Sequence, residues 1–295
     1  MALCVPTRNA AAVAGPFLEG LSTQTLVDFD RLLIDSSSED DTCHLFASAG
    51  FRIHQIPREI FDHGGTRQMA ADLCGEADFL IFMTQDAVLA HPEALEALLG
   101  CFSDRRVGAA YGRQLPRPGA HPIEAHARLF NYPPQSRLKS LADRAEFGIK
   151  TAFFSDSFAA YRVQALRDVG GFPVPCPVSE DTFVAARLLL ADWQIAYCAD
   201  AAVYHSHDFG LADELRRYYQ IGLFHARQPW LRQQFGEAEG EGGRFVRSEC
   251  NYLWHNAPSL LPLSALRTVV KYVGYRLGLM GKVVPARLQR LLNGR

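Results

Sequence analysis

The sequence predicts an α/β protein: a mostly parallel sheet flanked by helices, followed by a helical C-terminal extension. Three observations carry this reading. Apolar strand-like runs alternate with helical patterns through residues 2–111. Strand signals return over 151–162 and 194–205, on either side of a helix at 181–192. Beyond residue 211 the pattern is helical. Strands and helices that alternate through short links imply a parallel sheet covered on both faces. Ligands of such sheets bind beyond the carboxyl ends of the strands.

In chain order, the first strands are expected at 2–6, 29–35, 51–57, 79–83 and 107–111, where short apolar runs stop abruptly at polar residues. The helices between them are expected at 13–21, 40–49, 66–75 and 92–101. Residues 112–150 are rich in Pro, Arg and aromatic residues and are too long for a simple connection, which predicts a functional loop. The low-complexity stretch GEAEGEGGR, 236–244, reads as a flexible loop. The chain divides into an α/β domain, 1–208, and a helical region, 209–295.

Composition bounds the function. With 295 residues, 48% hydrophobic and 21% charged, the chain is an ordinary globular one with room for one large or two small cores. A net charge of −2 provides no overall basic field for nucleic acid. The charge is uneven: residues 264–295 hold seven Lys or Arg and no acid, leaving 23 basic against 32 acidic residues elsewhere. A basic tail on an acidic body suggests a second partner. In that tail Leu263, Leu266, Val270, Val273, Leu277 and Met280 recur at helical spacing, with Arg267, Lys271 and Lys282 along one border and Arg276 near the other. Pro285 ends this segment, and Arg287 and Arg290 follow on a shorter helix. Two readings stay open: a face that lies on an anionic membrane, its basic side chains snorkelling to headgroups, or a core-packing helix with a solvated basic edge. Seven scattered cysteines without C-x-x-C spacing read as reduced thiols of a cytosolic protein. The opening MALCVPTRNA has no signal-peptide pattern, and no apolar run approaches the roughly 18 residues that span a bilayer. The expected location is cytoplasmic, with peripheral attachment to the inner membrane face as the tail's contribution.

The candidate chemistry sits at the strand ends. FLIFM ends at Thr84-Gln85-Asp86, one carboxylate just past a buried-looking strand. Such a carboxylate binds Mg²⁺ or Mn²⁺ when phosphate oxygens and further protein ligands complete the shell. The stretch YHSHD at 204–208 offers His205 and His207, which share a face if the strand continues; structural histidines are the competing reading. Asp35 ends its strand and opens DSSSEDDT, either as a turn that caps the next helix or as an acceptor for a nucleotide base or ribose. In DHGGTR, Gly64 and Gly65 allow close backbone approach before a helix, and Arg67 is placed to meet a phosphate; a plain turn is the alternative. In SED, Ser179 reads as an N-cap with Glu180 and Asp181 in the first turn. The same placement aims an ionised Asp181 out of the helix end, which suits a general base.

Taken together, DSSSEDDT, FDHGGTRQMA, FLIFMTQDA, YGRQLPR, RLFNYP, SFAAYR, GGFP, HSH and KYVGYRLG resemble the family 2 glycosyltransferases of GT-A fold, specifically their bacterial rhamnosyltransferase branch. The ordered set spans nearly the whole chain. The resemblance implies inverting transfer of a sugar, L-rhamnose from dTDP-L-rhamnose, to a glycan or polyprenyl-diphosphate-linked acceptor in cell-surface polysaccharide synthesis. It implies a catalytic domain at 1–208 whose donor site holds Pro6, Thr7, Asn9, Asp35, Gly64, Gly65, Arg67, Thr84, Gln85 and Asp86. It makes Asp181 the base beside Glu180, and Asp86 with His205 or His207 the holders of Mg²⁺ or Mn²⁺. Arg113, Arg117 and Asp156 fall near acceptor or diphosphate. Three departures stand out: Ser179 replaces the Gly of G-E-D, Asp41 falls where a Gly is expected and should take left-handed backbone, and Asp156 replaces an Asn. The alternatives are a family 2 enzyme using a UDP-sugar, a dolichol-type polyprenyl-phosphate transferase, and a non-catalytic nucleotide-sugar-binding module. A sugar-phosphate nucleotidyltransferase is disfavoured because PTRNAAAVAG lacks its Gly-rich basic loop.

Overall fold

A computed structural model describes residues 1–236, 239–281 and 292. The predicted Lys282, Pro285, Arg287 and Arg290 lie outside the described residues. Nine strands, numbered along the chain, form one sheet: β1 Ala2–Thr7, β2 Asp30–Asp35, β3 Arg52–Gln55, β4 Phe79–Met83, β5 Val88–Leu89, β6 Val107–Leu115, β7 Arg137–Lys139, β8 Phe158–Arg162 and β9 Gln194–Tyr204. The helices among them are α1 Ala11–Ser22, α2 Thr42–Ser48, α3 His63–Leu73, α4 Ala94–Gly100, α5 Pro122–Asn131, α6 Arg144–Phe147, α7 Val163–Asp168 and α8 Glu180–Leu190. The C-terminal helices are α9 Leu211–Arg227, α10 Pro229–Phe235, α11 Glu239–Asn256 and α12 Leu261–Leu279.

The strand order is β3-β2-β1-β4-β8-β6-β9-β5, with β7 also on β9. Strands β3, β2, β1 and β4 are parallel neighbours, as are β6 and β9. The pairs β4–β8, β6–β8, β5–β9 and β7–β9 are antiparallel. The expected α/β class and C-terminal helices are present, and the sheet is mixed past β4. Antiparallel β8 puts its N-terminal end beside the C-terminal ends of β4 and β6, so the ends of β1, β2, β3, β4, β6 and β9 and the start of β8 meet at one edge.

Both sheet faces are covered. One core gathers Leu3, Val5, Phe17, Phe46 and Ile81 under α1, α2 and α4. The other gathers Phe82, Tyr161, Phe172 and Leu188 and includes Phe224, Leu231 and Phe235 of α9 and α10. The expected division at residue 208 therefore falls within a shared core. Three expectations need correction. Residues 112–150 carry α5, β7 and α6 in place of a long loop. The strand expected over 151–162 is confined to β8, preceded by a 3₁₀ turn at Gly148–Ala152. The Gly-rich 236–244 stretch is helical from Glu239 onward, continuous with a helix whose buried residues, Glu249 and Leu253, lie further along.

Candidate active site

The carboxylate at the end of β4 is joined by two imidazoles from the end of β9. Antiparallel β5 returns from β4 to pair Val88 with Tyr204, and this brings the segment after Tyr204 onto Asp86. His205 Nε2 lies 3.4 Å from Asp86 Oδ1, and His207 Nδ1 lies 3.6 Å from Oδ2. The expectation that continuing strand geometry aligns the two histidines needs correction, because β9 stops at Tyr204. Their rings meet edge to face in the loop, centroids 4.4 Å apart. One ligand atom from each of the three residues lies within 4.8 Å of the others.

A divalent cation fits this donor set. His205 Nδ1 donates to Gln114 Oε1 at 2.9 Å, leaving Nε2 as the lone-pair nitrogen. That Nε2 is buried and has no hydrogen-bond partner. Burial lowers both imidazole pKa values, His207 to about 4, so both are neutral near pH 7, as ligands must be. Burial raises the Asp86 carboxyl, but the His205 and His207 imidazoles and Arg117 outweigh it and hold Asp86 below the ordinary carboxylate range. Arg117 donates to the Asp86 backbone oxygen at 2.5 Å and lies 3.1 Å from Oδ2. The sequence pattern assigned Gln114 no role, although the polar pair Arg113-Gln114 at the end of the apolar run VGAAYG is itself a signal. Its Nε2 also donates to Ser155 at 2.8 Å, which ties the imidazole to the start of β8.

The ends of β1 and β2 form a second, polar cluster. Asp35 is fully buried and accepts from Thr7 at 3.2 Å, from the Ser38 amide at 2.9 Å and from the Ser38 hydroxyl at 2.5 Å. Asn9 takes a left-handed φ of 48° and accepts from the Glu39 amide. Gln85 clamps the same turn, accepting from Arg8 N at 2.8 Å and donating to Arg8 O at 3.2 Å. Pro6, Thr7, Asn9, Asp35 and Gln85 are thus brought together. Thr84 joins them to β8 through its amide, 3.2 Å from Ser157 O, and its buried hydroxyl lacks a partner. Asp41 has an ordinary φ of −71°; the left-handed residue of this turn is Ser37, at 57°.

Gly64, Gly65 and Arg67 leave the donor group. Both glycines lie inside the first turn of α3, which starts three residues before its expected position. Asp62 caps it by accepting from Gly65 N, and Cys176 N donates to the same carboxylate. A Cβ on Gly64 would lie 2.1 Å from Pro173 O, so the 173–176 segment covers this helix end. Arg67 is buried and faces two acids: Nε is 2.9 Å from Asp156 Oδ2 and NH1 is 2.7 Å from Glu180 Oε1. A guanidinium enclosed this way is not presented to a phosphate. Arg113 donates to Tyr132 O at 3.2 Å, at the end of α5.

Asp181 stands beside this ion pair at the start of α8, partly exposed. Burial of its carboxyl and the Glu180 charge raise its pKa to about 6, against the Thr182 amide and Arg67, which lower it. Ser179 occupies the N-cap position, yet its side chain caps nothing and its φ is 65°. The expected Ser cap is therefore absent; what the position demands is a left-handed turn.

The chain belongs to glycosyl transferase family group 2, whose family model matches residues 79–286. It is 43% identical over 277 residues to the O-antigen chain rhamnosyltransferase RfbN of Salmonella typhimurium, covering 94% of this chain and 88% of that protein. The same stretch is 44% identical to the O-antigen chain rhamnosyltransferase WbaN of Salmonella anatum, with the same coverage. Among solved structures, the Pyrobaculum calidifontis mannosyltransferase PcManGT with GDP-Man and Mn²⁺ superposes with a TM-score of 0.58 at 17% identity, covering 99% of this chain and 83% of that one. Glucosyl-3-phosphoglycerate synthase from Mycobacterium tuberculosis, in complex with Mn²⁺, UDP and glucosyl-3-phosphoglycerate, gives 0.55 at 19% identity, covering 80% and 79%.

Proposed function

We propose that this glycosyltransferase moves L-rhamnose from dTDP-L-rhamnose to a hydroxyl of a glycan, free or polyprenyl-diphosphate-linked, in cell-surface polysaccharide synthesis. The observation that carries the chemistry is the meeting of Asp86, His205 and His207 at the strand ends, with Asp181 at the adjoining helix start. The choice of sugar rests on the two Salmonella relatives, named as O-antigen chain rhamnosyltransferases.

In this reading Pro6, Thr7, Asn9, Asp35, Thr84 and Gln85 hold the nucleoside end of the donor and supply orientation. A base that reaches Asp35 takes the place of the Ser38 hydroxyl. Held by Asp86, His205 and His207, a divalent cation supplies charge neutralisation for the diphosphate. Carboxylate with imidazole suits Mn²⁺ better than Mg²⁺. Arg117, and Arg113 if it leaves Tyr132 O, face the diphosphate. Asp181 accepts the proton of the acceptor hydroxyl as its oxygen bonds to the anomeric carbon. The bond from that carbon to the diphosphate breaks on the opposite side, and the anomeric centre inverts. A base with a pKa of about 6 is ionised at neutral pH and stronger than an ordinary carboxylate.

A panel of nucleotide-sugars tests the assignment. Turnover with dTDP-L-rhamnose is expected, and chelation removes it. Robust turnover with UDP-glucose and none with dTDP-L-rhamnose moves the protein to another branch of the family; donor binding without turnover of any sugar makes it a binding module.

A further inference from the structure

Two carboxyls and one guanidinium are packed together behind the proposed base, itself a third carboxyl. Arg67 comes from α3, Asp156 from the turn before β8, and Glu180 and Asp181 from the first turn of α8. Arg67, Asp156 and Glu180 are 3%, 2% and 5% exposed. Arg67 reaches Glu180 at 2.7 Å and Asp156 at 2.9 Å, the latter an ion pair without hydrogen-bond alignment. Tyr161, fully buried on β8, donates to Asp156 Oδ1 at 2.6 Å. The titratable neighbours of Asp181 include His63, 3.3 Å from Arg67 NH1, together with Tyr132, Tyr161 and Cys176; beyond them Arg217, exposed on α9, and Asp62, the cap of α3, act on His63 from the rim. His63 is pushed down to about 4 by burial and the Arg67 charge, and burial pushes the Tyr and Cys groups up, so all four are neutral at pH 7. Inside that rim, where Arg217 and Asp62 carry opposite charges, the cluster's charge is set by the three acids and Arg67.

With every carboxyl ionised, this enclosed region would hold three negative charges against one positive. Desolvation makes such an excess costly, and one carboxyl keeps its proton instead. Asp156 is the group that does so: burial drives its pKa to about 8, in spite of Arg67. The Asp181 and Glu180 charges raise it further, while the Tyr161 hydroxyl, donating to Oδ1, works in the opposite direction with Arg67.

We propose that Arg67 and Asp156 are positioning residues of the transfer reaction: Arg67 fastens Glu180, and with it the strained turn that presents Asp181, while Asp156 retains the cluster's proton so that Asp181 is free to ionise. This rests on the reading of Asp181 as the base. It gives Arg67 a task that phosphate binding does not, and it explains how an acid in place of an amide at position 156 is tolerated beside a second acid.

The test compares pH–rate profiles of wild type, Arg67→Lys and Arg67→Gln. The Arg67 charge lowers the Asp181 carboxyl, and an opposite charge within contact range lowers a carboxyl by about 1–3 units. Arg67→Gln should therefore move the acid limb of kcat upward by about 1 pH unit, with the KM for donor unchanged and Arg67→Lys in between. If Arg67→Gln alone does not fold, the Arg67→Gln/Asp156→Asn double variant removes the Arg67 charge together with the neutral carboxyl it packs against, and should show the same upward shift. Asp156→Asn tests the retained proton through stability. An acid raised above its unfolded value of about 3.9 makes the native state bind more protons, so stability falls as pH rises toward about 8. The Asn variant should melt with a visibly flatter pH dependence over that range. An unmoved acid limb with lower kcat makes Arg67 merely structural. A tenfold rise in donor KM with the limb in place returns it to the donor site. An unchanged melting slope in Asp156→Asn removes the retained proton. Asp181→Asn is the control: if it turns over like wild type, the base assignment itself fails, whereas an inactive Asp181→Asn with an unmoved limb in Arg67→Gln sinks only the present inference.

Discussion

At the scale of single residues, Asp181 and Ser179 carry the sharpest expectations. Asp181→Asn keeps size and loses basicity, so kcat should fall by about 10²–10⁴ while donor binding persists. Titration of the folded variant with nucleotide-sugar, beside single-turnover kinetics, separates the two. In the wild type, a base must be ionised, so kcat should drop as pH falls through about 6. Ser179 holds a φ of 65° without using its hydroxyl as a cap. Left-handed backbone costs an L-residue about 1–2 kcal/mol, partly offset by the greater chain entropy that glycine loses on folding. Ser179→Gly should therefore raise stability by up to about 1 kcal/mol in chemical denaturation, and a clear loss would mean that the serine side chain matters. This strain was legible in the sequence, because SED stands where glycine is expected. The matching expectation at Asp41 failed, because the neighbouring Ser37 takes the left-handed turn instead. Local sequence identifies a turn that needs such a residue more readily than it identifies which residue supplies it.

At the scale of elements, α12 shows where periodicity stops being informative. Its apolar spacing marks a helix correctly, but the expected stripe is split: Leu263, Val270 and Leu277 are half-buried, and the rest of it faces outward. Leu266, Val269, Tyr272, Val273 and Met280 are exposed, and the buried face is Ser264, Arg267, Gly274 and Gly278. Arg267, expected on a solvated edge, is buried 3.1 Å from Glu124 and donates to Phe209 O at 2.7 Å. Lys271 pairs with buried Glu214 at 3.3 Å. A partner helix that supplies acids and glycines can bury such a face, and no single-helix pattern reveals the partner. No helix among the described residues is long and apolar enough to cross a bilayer; that the outward row lies on a bilayer surface is our proposal. Leu266→Ser with Val269→Ser and Val273→Ser should lower sedimentation with anionic vesicles while leaving the melting temperature near wild type. Unchanged sedimentation would leave the acceptor a soluble glycan.

At the scale of the whole molecule, metal and fold should be linked. Asp86 ends β4, His205 follows β9 and Gln114 lies on β6, so a cation bound there joins three strands that are distant in sequence. Binding to the native state alone adds about 2.7 kcal/mol at 100 times Kd. Mn²⁺ should raise the melting temperature of wild type and not of Asp86→Ala; Gln114→Leu should need about 10–100-fold more Mn²⁺ for the same rise. Equal shifts in wild type and Asp86→Ala would place the ion elsewhere. The parallel β1–β4 half of the sheet and the position of Asp86 were readable because each rests on contiguous residues. The Arg67 cluster was not, since α3, β8 and α8 are far apart along the chain and only folding puts their charges together. One further feature sets how this chain can change over generations. Helices α9 and α12 touch backbone to backbone: a Cβ on Gly222 would stand 2.2 Å from Tyr275 O, and one on Gly278 2.1 Å from Tyr219 O. Every side chain is too large at those positions, whereas the outward row faces open space. A saturation library of the C-terminal helices should therefore separate into two populations, a seam that accepts almost no substitution and an outer face that drifts freely in size while the bilayer, if it is the partner, selects only for apolarity.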